Sequence, residues 1–241
     1  MDIIKKIIEK GQHPLETKAP TIAFFGDSVT QGCFELYEKP GRQLGTVCDA
    51  KNVYHNRVKE ILAYLYPDAP INIINAGVSG DNATEALKRI ERDVLCYKPD
   101  LTVVCFGLND SYFGMDNLEN YCNSLTSIFD QIKNTGSEII FMTPNMMNTS
   151  ISAGIFPAFA TGNAEGTMKI QNEGIFDRFL DEAKAICKDK GIAVCDCYAK
   201  WKLLSESGVN VTELLSNKIN HPAREMHWLF AGMLVETIFE N

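Results

Sequence analysis

Five short apolar runs, separated by longer segments of helical periodicity, restrict the folds open to this chain of 241 residues. The runs are rich in β-branched and aromatic residues and lie at Thr21–Phe25, Ile71–Asn75, Leu101–Phe106, Glu138–Thr143 and Ile192–Asp196. The helical segments lie at Tyr54–Tyr66, Ala83–Cys96, Leu118–Thr135, Gly174–Lys190 and about Arg224–Phe239. Strands that are apolar throughout and alternate with helices are typical of a parallel sheet buried on both faces. The pattern predicts a three-layer α/β/α protein with a doubly wound sheet of about five parallel strands, which binds ligands where the strands end.

The length suits one large α/β domain, so we expect residues 1–241 to form a single domain. Isoleucines at helical spacing among charged residues predict an amphipathic helix over about residues 1–11, which packs on the domain. Residues of about 144–173 show no clean period and contain several Met, Phe and Gly residues. Long loops without secondary structure are uncommon unless they do something such as covering a site, so we interpret this segment as a lid-like loop or substrate wall, with a simple surface excursion as the alternative.

The charge balance and the cysteines limit the classes of partner and compartment. The formal net charge is -8 and there is no basic patch, which argues against a nucleic-acid partner. No apolar stretch approaches the length of a membrane span, and the amino terminus lacks the pattern of a signal peptide. Eight scattered cysteines without a CxxC pair are expected as reduced thiols in the cytoplasm. A homo-oligomer is compatible with these features, which do not fix the oligomeric state.

Polar residues follow the predicted strands at the points where they end. The first strand runs into Gly-Asp-Ser at 26–28, the second is followed by Gly80, and the third is followed by Asn109 and Asp110. After the fifth strand the chain reaches His221. Because the carboxyl ends of parallel strands meet at one edge of the sheet, these groups are expected to converge in one crevice.

The chemistry of the converging groups fits acyl transfer. A serine hydroxyl needs an adjacent base to become a nucleophile, and histidine suits this role because its pKa lies near neutrality. We therefore expect Ser28 as nucleophile and His221 as base. The oxyanion of the tetrahedral intermediate needs preorganised donors, which the backbone N–H groups of Ser28 and Gly80 and the side-chain amide of Asn109 can supply. Asp27 and Asp110 are expected to support these loops by accepting backbone N–H bonds.

The four segments Gly26-Asp27-Ser28, Gly80, Gly107-x-Asn109-Asp110 and His221-Pro222 resemble, in order and rough spacing, the four blocks of the SGNH hydrolases. This is the superfamily of GDSL esterases and lipases. The resemblance covers residues 22 to 222. It implies a flavodoxin-like fold, no metal or organic cofactor, and hydrolysis of carboxylic esters or thioesters. It also implies that Ser28 is the nucleophile, that Gly80 and Asn109 are oxyanion donors, and that His221 is the general acid and base.

One position departs from the family pattern. The family usually has Asp three residues before the histidine, where this chain has Lys218. A lysine cannot accept the imidazole N–H, so another group must orient the ring. Our first hypothesis is a Ser-His dyad supported by a backbone carbonyl. The second hypothesis is that the side-chain oxygen of Asn217 or Asn220 accepts the imidazole N–H, and the third, which we favour least, is Asp196.

The resemblance leaves the substrate open within the class of small-molecule esters. We expect a serine esterase for short acyl groups, such as O-acetyl groups on carbohydrates. A lysophospholipase or thioesterase is the alternative if the lid-like loop lines a broad apolar cleft. Because of Lys218, a binding module that keeps the fold without catalysis is a further hypothesis, and a flavin-binding protein is a weaker one from the fold alone.

Overall fold

A five-stranded parallel sheet forms the centre of the computed structural model, which describes residues 1–241. Together with a separate hairpin, the protein has seven strands: β1 (Thr21–Gly26), β2 (Cys33–Lys39), β3 (Gln43–Cys48), β4 (Asn72–Gly77), β5 (Leu101–Cys105), β6 (Glu138–Met142) and β7 (Ala193–Cys195). The order in the parallel sheet is β4-β1-β5-β6-β7, whereas β2 and β3 form a separate antiparallel hairpin. The chain goes from β1 to one neighbour and then to the other, so the switch point of the sheet lies beside the carboxyl end of β1.

Helices cover both faces of the sheet. They are α1 (Asp2–Gln12), α2 (Ser28–Gln31), α3 (Tyr54–Leu65), α4 (Ala83–Ala86), α5 (Ile90–Asp93), α6 (Leu108–Ser111), α7 (Leu118–Asn134), α8 (Thr161–Asn172), α9 (Ile175–Lys190), α10 (Cys197–Glu206) and α11 (Met226–Glu240). Successive side chains of β1 point to opposite faces. Phe24 packs in a core with residues of α1, α3 and α11, and Phe25 packs in a second core with residues of α4, α7 and α9. The prediction of a doubly wound α/β/α sheet is therefore confirmed.

The five predicted strands are present within two residues of the expected bounds. The predicted amino-terminal helix corresponds to α1, which buries Ile3 and Ile7. Its first N–H groups, those of Asp2 and Ile3, donate to the carboxylate of Glu138 at 2.9 and 2.8 Å. This contact ties α1 to the start of β6. No helix of the protein combines the length and the apolar character that a membrane crossing requires.

The helix predicted over Ala83–Cys96 is wrong as one continuous element. It is divided into α4, α5 and a 3₁₀ turn, and the break lies at Arg89. The Arg89 side chain is buried and donates to the carbonyl oxygens of Gly26 and Ala76, at the ends of β1 and β4, and to Asp81. These bonds hold the guanidinium under the strand ends at the point where the helix is interrupted.

The interpretation of residues 144–173 as one lid-like loop is also corrected. Its second half is the helix α8, Thr161–Asn172. Met146 and Met147 are buried in the core, so they are not exposed on a lid. The sequence interpretation also missed the hairpin β2–β3 and the helix α10. The hairpin matters most, because it lies against the carboxyl ends of the strands.

Candidate active site

Ser28 lies directly after β1, as the first residue of the short helix α2. Asp27 caps this helix, since its carboxylate accepts the N–H of Val29 at 2.9 Å. The first N–H groups of a helix have no partner within it, so the N–H of Ser28 is free to face a ligand. The hydroxyl of Ser28 lies 3.0 Å from Nε2 of His221, and both residues are buried. The structure therefore brings the expected nucleophile and base into hydrogen-bond contact.

A backbone carbonyl binds the other side of the imidazole. Nδ1 of His221 lies 2.9 Å from the carbonyl oxygen of Phe34, on the hairpin strand β2. Because a carbonyl oxygen only accepts, Nδ1 must carry the proton, and the lone pair of Nε2 faces the Ser28 hydroxyl. Burial lowers the pKa of His221 to about 4, so the ring is neutral at pH 7. A neutral ring with this tautomer can accept the serine proton.

The loop that carries His221 is held by Asn217. Its side-chain oxygen accepts the backbone N–H groups of Ile219, Asn220 and His221 at 3.0, 2.9 and 2.9 Å. The side-chain amide of Asn217 donates to the side-chain oxygen of Asn220 at 3.0 Å. Neither asparagine side chain bonds to the imidazole. Both support the loop through hydrogen bonds within it.

The other groups considered as orienters point elsewhere. Lys218 has a left-handed φ of 59°, and its ammonium group donates to the carbonyl oxygen of Glu213 and pairs with its carboxylate at 2.9 Å. Asp196 accepts the Thr143 hydroxyl at 2.9 Å and the N–H of Ala199 at 3.1 Å, and so caps α10. These bonds tie the end of β7 to the loop after β6, and none of them reaches the imidazole.

Gly80 and Asn109 line the same cavity as Ser28 and His221. Gly80 has φ of +80°, a conformation that glycine adopts without strain, and its N–H donates no hydrogen bond within the protein. The side-chain amide of Asn109 donates one hydrogen to the carbonyl oxygen of Asp81 at 2.7 Å. Its second hydrogen is free for a ligand. The three expected oxyanion donors thus border one cavity.

Two buried carboxyl groups flank the proposed catalytic residues. Asp110 accepts the N–H of Ala83 at 2.9 Å and links the loop after β5 to the start of α4. Burial raises the pKa of both Asp27 and Asp110 to about 7. Neither bonds to the serine hydroxyl or to the imidazole, so their observed contacts are with the loop backbone.

The cavity has a volume of about 330 Å³, and four of its fourteen lining residues are hydrophobic. Besides the residues above, the hairpin contributes Leu36, Leu44 and Thr46, and α8 contributes Asn163 and Thr167. Sequence reasoning missed the hairpin wall, whereas α8 lies within residues 144–173, the segment expected to cover a site. No side-chain motif marks the hairpin, and the contribution of Phe34 is a backbone atom. The only signal for the hairpin is the unassigned stretch between the first strand and the helix at Tyr54.

A family model described as GDSL-like Lipase/Acylhydrolase matches residues 24–229. An acetylxylan esterase from Geobacillus stearothermophilus is 29% identical over 132 residues, which are 51% of this chain and 58% of that protein. The chain thus spans less than two thirds of that relative's length. The residues matched by the family model include all four sequence blocks, from Gly26 to Pro222.

Solved structures share the fold at lower identity. An acetylxylan esterase from Geobacillus stearothermophilus has a TM-score of 0.67 and 21% identity, over 91% of this chain and 94% of that one. A lipase/acylhydrolase from Enterococcus faecalis has a TM-score of 0.65 and 21% identity, over 91% and 95%. A two-domain esterase active on acetylated mannans has a TM-score of 0.66 and 19% identity, over 99% of this chain and 52% of that one.

Proposed function

The chain belongs to the GDSL-like lipase/acylhydrolase family, and from this premise we propose that it is a serine esterase for short acyl groups. Its proposed substrates are O-acetyl esters of carbohydrates. The observation that carries the proposal is the continuous contact from the Ser28 hydroxyl through His221 to the Phe34 carbonyl oxygen. This contact gives the hydroxyl a neutral base with a fixed tautomer.

The proposed mechanism has two steps of acyl transfer. His221 Nε2 takes the proton of Ser28 as its oxygen attacks the ester carbonyl, and the resulting oxyanion accepts hydrogen bonds from the cavity donors. These donors are the N–H groups of Ser28 and Gly80 and the free amide hydrogen of Asn109. His221 then returns the proton to the leaving alcohol. Water, activated by the same imidazole, hydrolyses the acyl-serine.

Polar side chains in the cavity wall support a polyhydroxylated alcohol as the leaving group. Thr46, Asn163 and Asn220 offer hydroxyl and amide groups, while Leu36 and Ile219 give the wall an apolar surface as well. A sugar suits such a mixed wall, because its hydroxyls can pair with polar side chains that a long alkyl chain would leave unpaired. The related proteins named above include esterases of acetylated xylan and acetylated mannan, and this supports the same substrate class.

A lysophospholipase or thioesterase finds no specific support in the cavity. The sequence hypothesis required an apolar cleft lined by residues from Met146 to Phe159. Met146 and Met147 are instead buried in the core, and the cavity residues nearest along the chain are the polar Asn163 and Thr167 on α8. We therefore keep the short-chain esterase as the proposal.

A substrate panel tests this proposal. The purified chain is assayed with p-nitrophenyl esters from acetate to palmitate and with acetylated xylo-oligosaccharides and manno-oligosaccharides. We expect the highest kcat/KM on acetate or butyrate and release of acetate from the sugars. An optimum at long chains contradicts the small-acyl proposal. A fluorophosphonate probe labels an activated serine, so absence of labelling together with absence of hydrolysis supports a binding module.

We also propose that the protein acts in the cytoplasm on small ester substrates. All eight cysteines are free thiols, which suits a reducing compartment. Cell fractionation with an antibody against the chain tests this placement. Recovery outside the cytoplasmic fraction contradicts it.

A further inference from the structure

The carbonyl oxygen that orients the imidazole lies at an irregularity of the hairpin. Strand pairing shifts register between Cys33 and Leu36, so Phe34 and Glu35 form a β-bulge. A bulge interrupts the ladder and re-aims the groups around it. Here it leaves the Phe34 carbonyl oxygen 2.9 Å from His221 Nδ1. The strand ladder alone does not fix the position of this oxygen, so contacts outside the ladder must hold it in place.

The buried Phe34 ring packs against His227 with ring centroids 5.1 Å apart, and Arg224, three residues after His221, makes the polar contacts. Its two terminal nitrogens donate to the two carboxylate oxygens of Glu35 on the bulge. Its Nε donates to the carboxylate of Asp49, just after β3, at 2.8 Å. Its guanidinium carbon lies 4.2 Å from the centroid of the Phe34 ring. The segment that carries the base therefore holds the bulge by ion pairs as well as by the imidazole.

These ion pairs are well formed. The side chain of Arg224 is 30% exposed, and the planar guanidinium presents a rigid fork of donors that matches a carboxylate. The hydrogen bond from Arg224 is the main reason why the pKa of Glu35 is lowered. Hydrogen bonds from Asn52 and then Arg224 lower the pKa of Asp49 to about 2. Both carboxylates are therefore ionised at neutral pH and bind a charged guanidinium.

We propose that Arg224 is a positioning residue that holds the Phe34 carbonyl against His221. It acts through its ion pairs with Glu35 and Asp49, and we call these three residues the Arg224 clamp. The inference rests on the proposed function of the same site. A fixed acceptor keeps the Nε2 lone pair directed at the serine hydroxyl. The clamp thus supplies the orientation that relatives obtain from a carboxylate three residues before the histidine.

The test compares Arg224→Met, Glu35→Gln and the double variant with the wild type. Arg224→Met should lower kcat by roughly 10- to 100-fold with KM within about threefold, because a displaced base slows chemistry more than it weakens binding. Glu35→Gln keeps one hydrogen bond, so we expect a loss of roughly three- to tenfold. The double variant should be no slower than Arg224→Met within about twofold, since both changes release the same contact.

A matched control is Arg178→Met. Arg178 forms an ion pair with Glu182 on the surface of α9, outside the cavity. Its kcat should stay within about twofold of wild type, as expected for loss of an exposed ion pair. Thermal unfolding of each variant shows whether a loss of kcat follows from a loss of folded protein. If Arg224→Met does not fold, Glu35→Gln carries the kinetic test alone.

Proton NMR gives a readout that does not require turnover. The Nδ1–H proton of His221 is buried and hydrogen bonded, so the wild type should show it as a downfield resonance. In folded Arg224→Met this resonance should move upfield or broaden, and in Arg178→Met it should persist. The proposed function is overturned if the wild type is neither labelled by fluorophosphonate nor active. Even then, the Nδ1–H resonance of His221 in the wild type and in Arg224→Met tests whether the clamp holds the Phe34 carbonyl. The clamp is overturned if the wild type is active and the folded Arg224→Met and Glu35→Gln variants keep both its kcat and its His221 resonance.

Discussion

Replacement of Asn109 by alanine is the sharpest test of the proposed oxyanion hole. The side-chain amide has one hydrogen bonded to the Asp81 carbonyl oxygen at 2.7 Å and one hydrogen free in the cavity that Ser28 also lines. In the proposed mechanism, the free hydrogen meets charge that develops only in the transition state. Its removal should therefore lower kcat and leave KM nearly unchanged.

The expected losses of kcat and of stability follow from the two hydrogen bonds that the Asn109 amide can donate. Removing one oxyanion donor costs roughly 10²–10³ in kcat, or about 2.7–4 kcal/mol in other serine hydrolases. The bond to Asp81 is a structural one, and its loss costs on the order of 1 kcal/mol of unfolding free energy. In a chain of this size that corresponds to a fall of roughly 2–4 °C in Tm. The kinetic effect should thus greatly exceed the stability effect.

The assay is steady-state hydrolysis of p-nitrophenyl acetate, combined with thermal unfolding. Asn172→Ala is the matched control, because Asn172 also donates its side-chain amide to a backbone carbonyl, that of Thr149 at 3.1 Å, but lies outside the cavity. We expect it to lose stability without a comparable loss of kcat. A change in Asn109→Ala that is confined to KM refutes the reasoning and makes Asn109 a ground-state binding residue.

Three further results are expected from the same assays. Ser28→Ala and His221→Ala should each remove nearly all esterase activity, a loss that can reach about 10⁶-fold. Near wild-type rates in either variant contradict its role as nucleophile or base. Lys218→Asp should keep kcat within about threefold of wild type, because the Phe34 carbonyl oxygen already accepts the imidazole N–H. A tenfold rise in kcat shows instead that the new carboxylate reaches the ring. As the pH falls through about 4, protonation of His221 should lower kcat/KM, because the ring must be neutral to accept the serine proton. The buried carboxyl groups of Asp27 and Asp110, with pKa values of about 7, become protonated at higher pH, so the test is the decline near pH 4. A rate that shows no decline there while the protein stays folded contradicts the low pKa of His221.

Most of the sheet could be predicted from the sequence because buried parallel strands are apolar on both faces. The runs at Thr21–Phe25 and Leu101–Phe106 have no polar alternation, so they stand out from their surroundings. The positions of Ser28 and Asn109 follow directly, since each comes three residues after the end of such a run. His221 required more than local pattern, because no strand ends next to it and the resemblance to a known family placed it.

The hairpin β2–β3 could not be predicted for a physical reason. Its strands are exposed along much of their length, and they include the charged residues Glu35, Glu38 and Lys39. They are stabilised by pairing with each other and by ion pairs to Arg224, nearly 190 residues away in the sequence. Local pattern carries no information on such distant contacts. The helix break at Arg89 was missed for the same reason, since its cause is a buried guanidinium that bonds to the ends of two strands.

The carbonyl of Phe34 differs from a carboxylate in what it can do for the base. A carboxylate orients the ring and also places a full negative charge beside the imidazolium that forms during attack, but burying that charge is costly. A carbonyl gives the same tautomer without a buried charge, and burial then keeps the pKa of His221 low. The carboxylate of Glu35 is a compensating charge, which raises the pKa of the ring while it binds Arg224. Orientation in this protein therefore depends on a bulged hairpin outside the sheet, and a change that loosens the hairpin should slow the chemistry without any change in the Ser28 or His221 side chains.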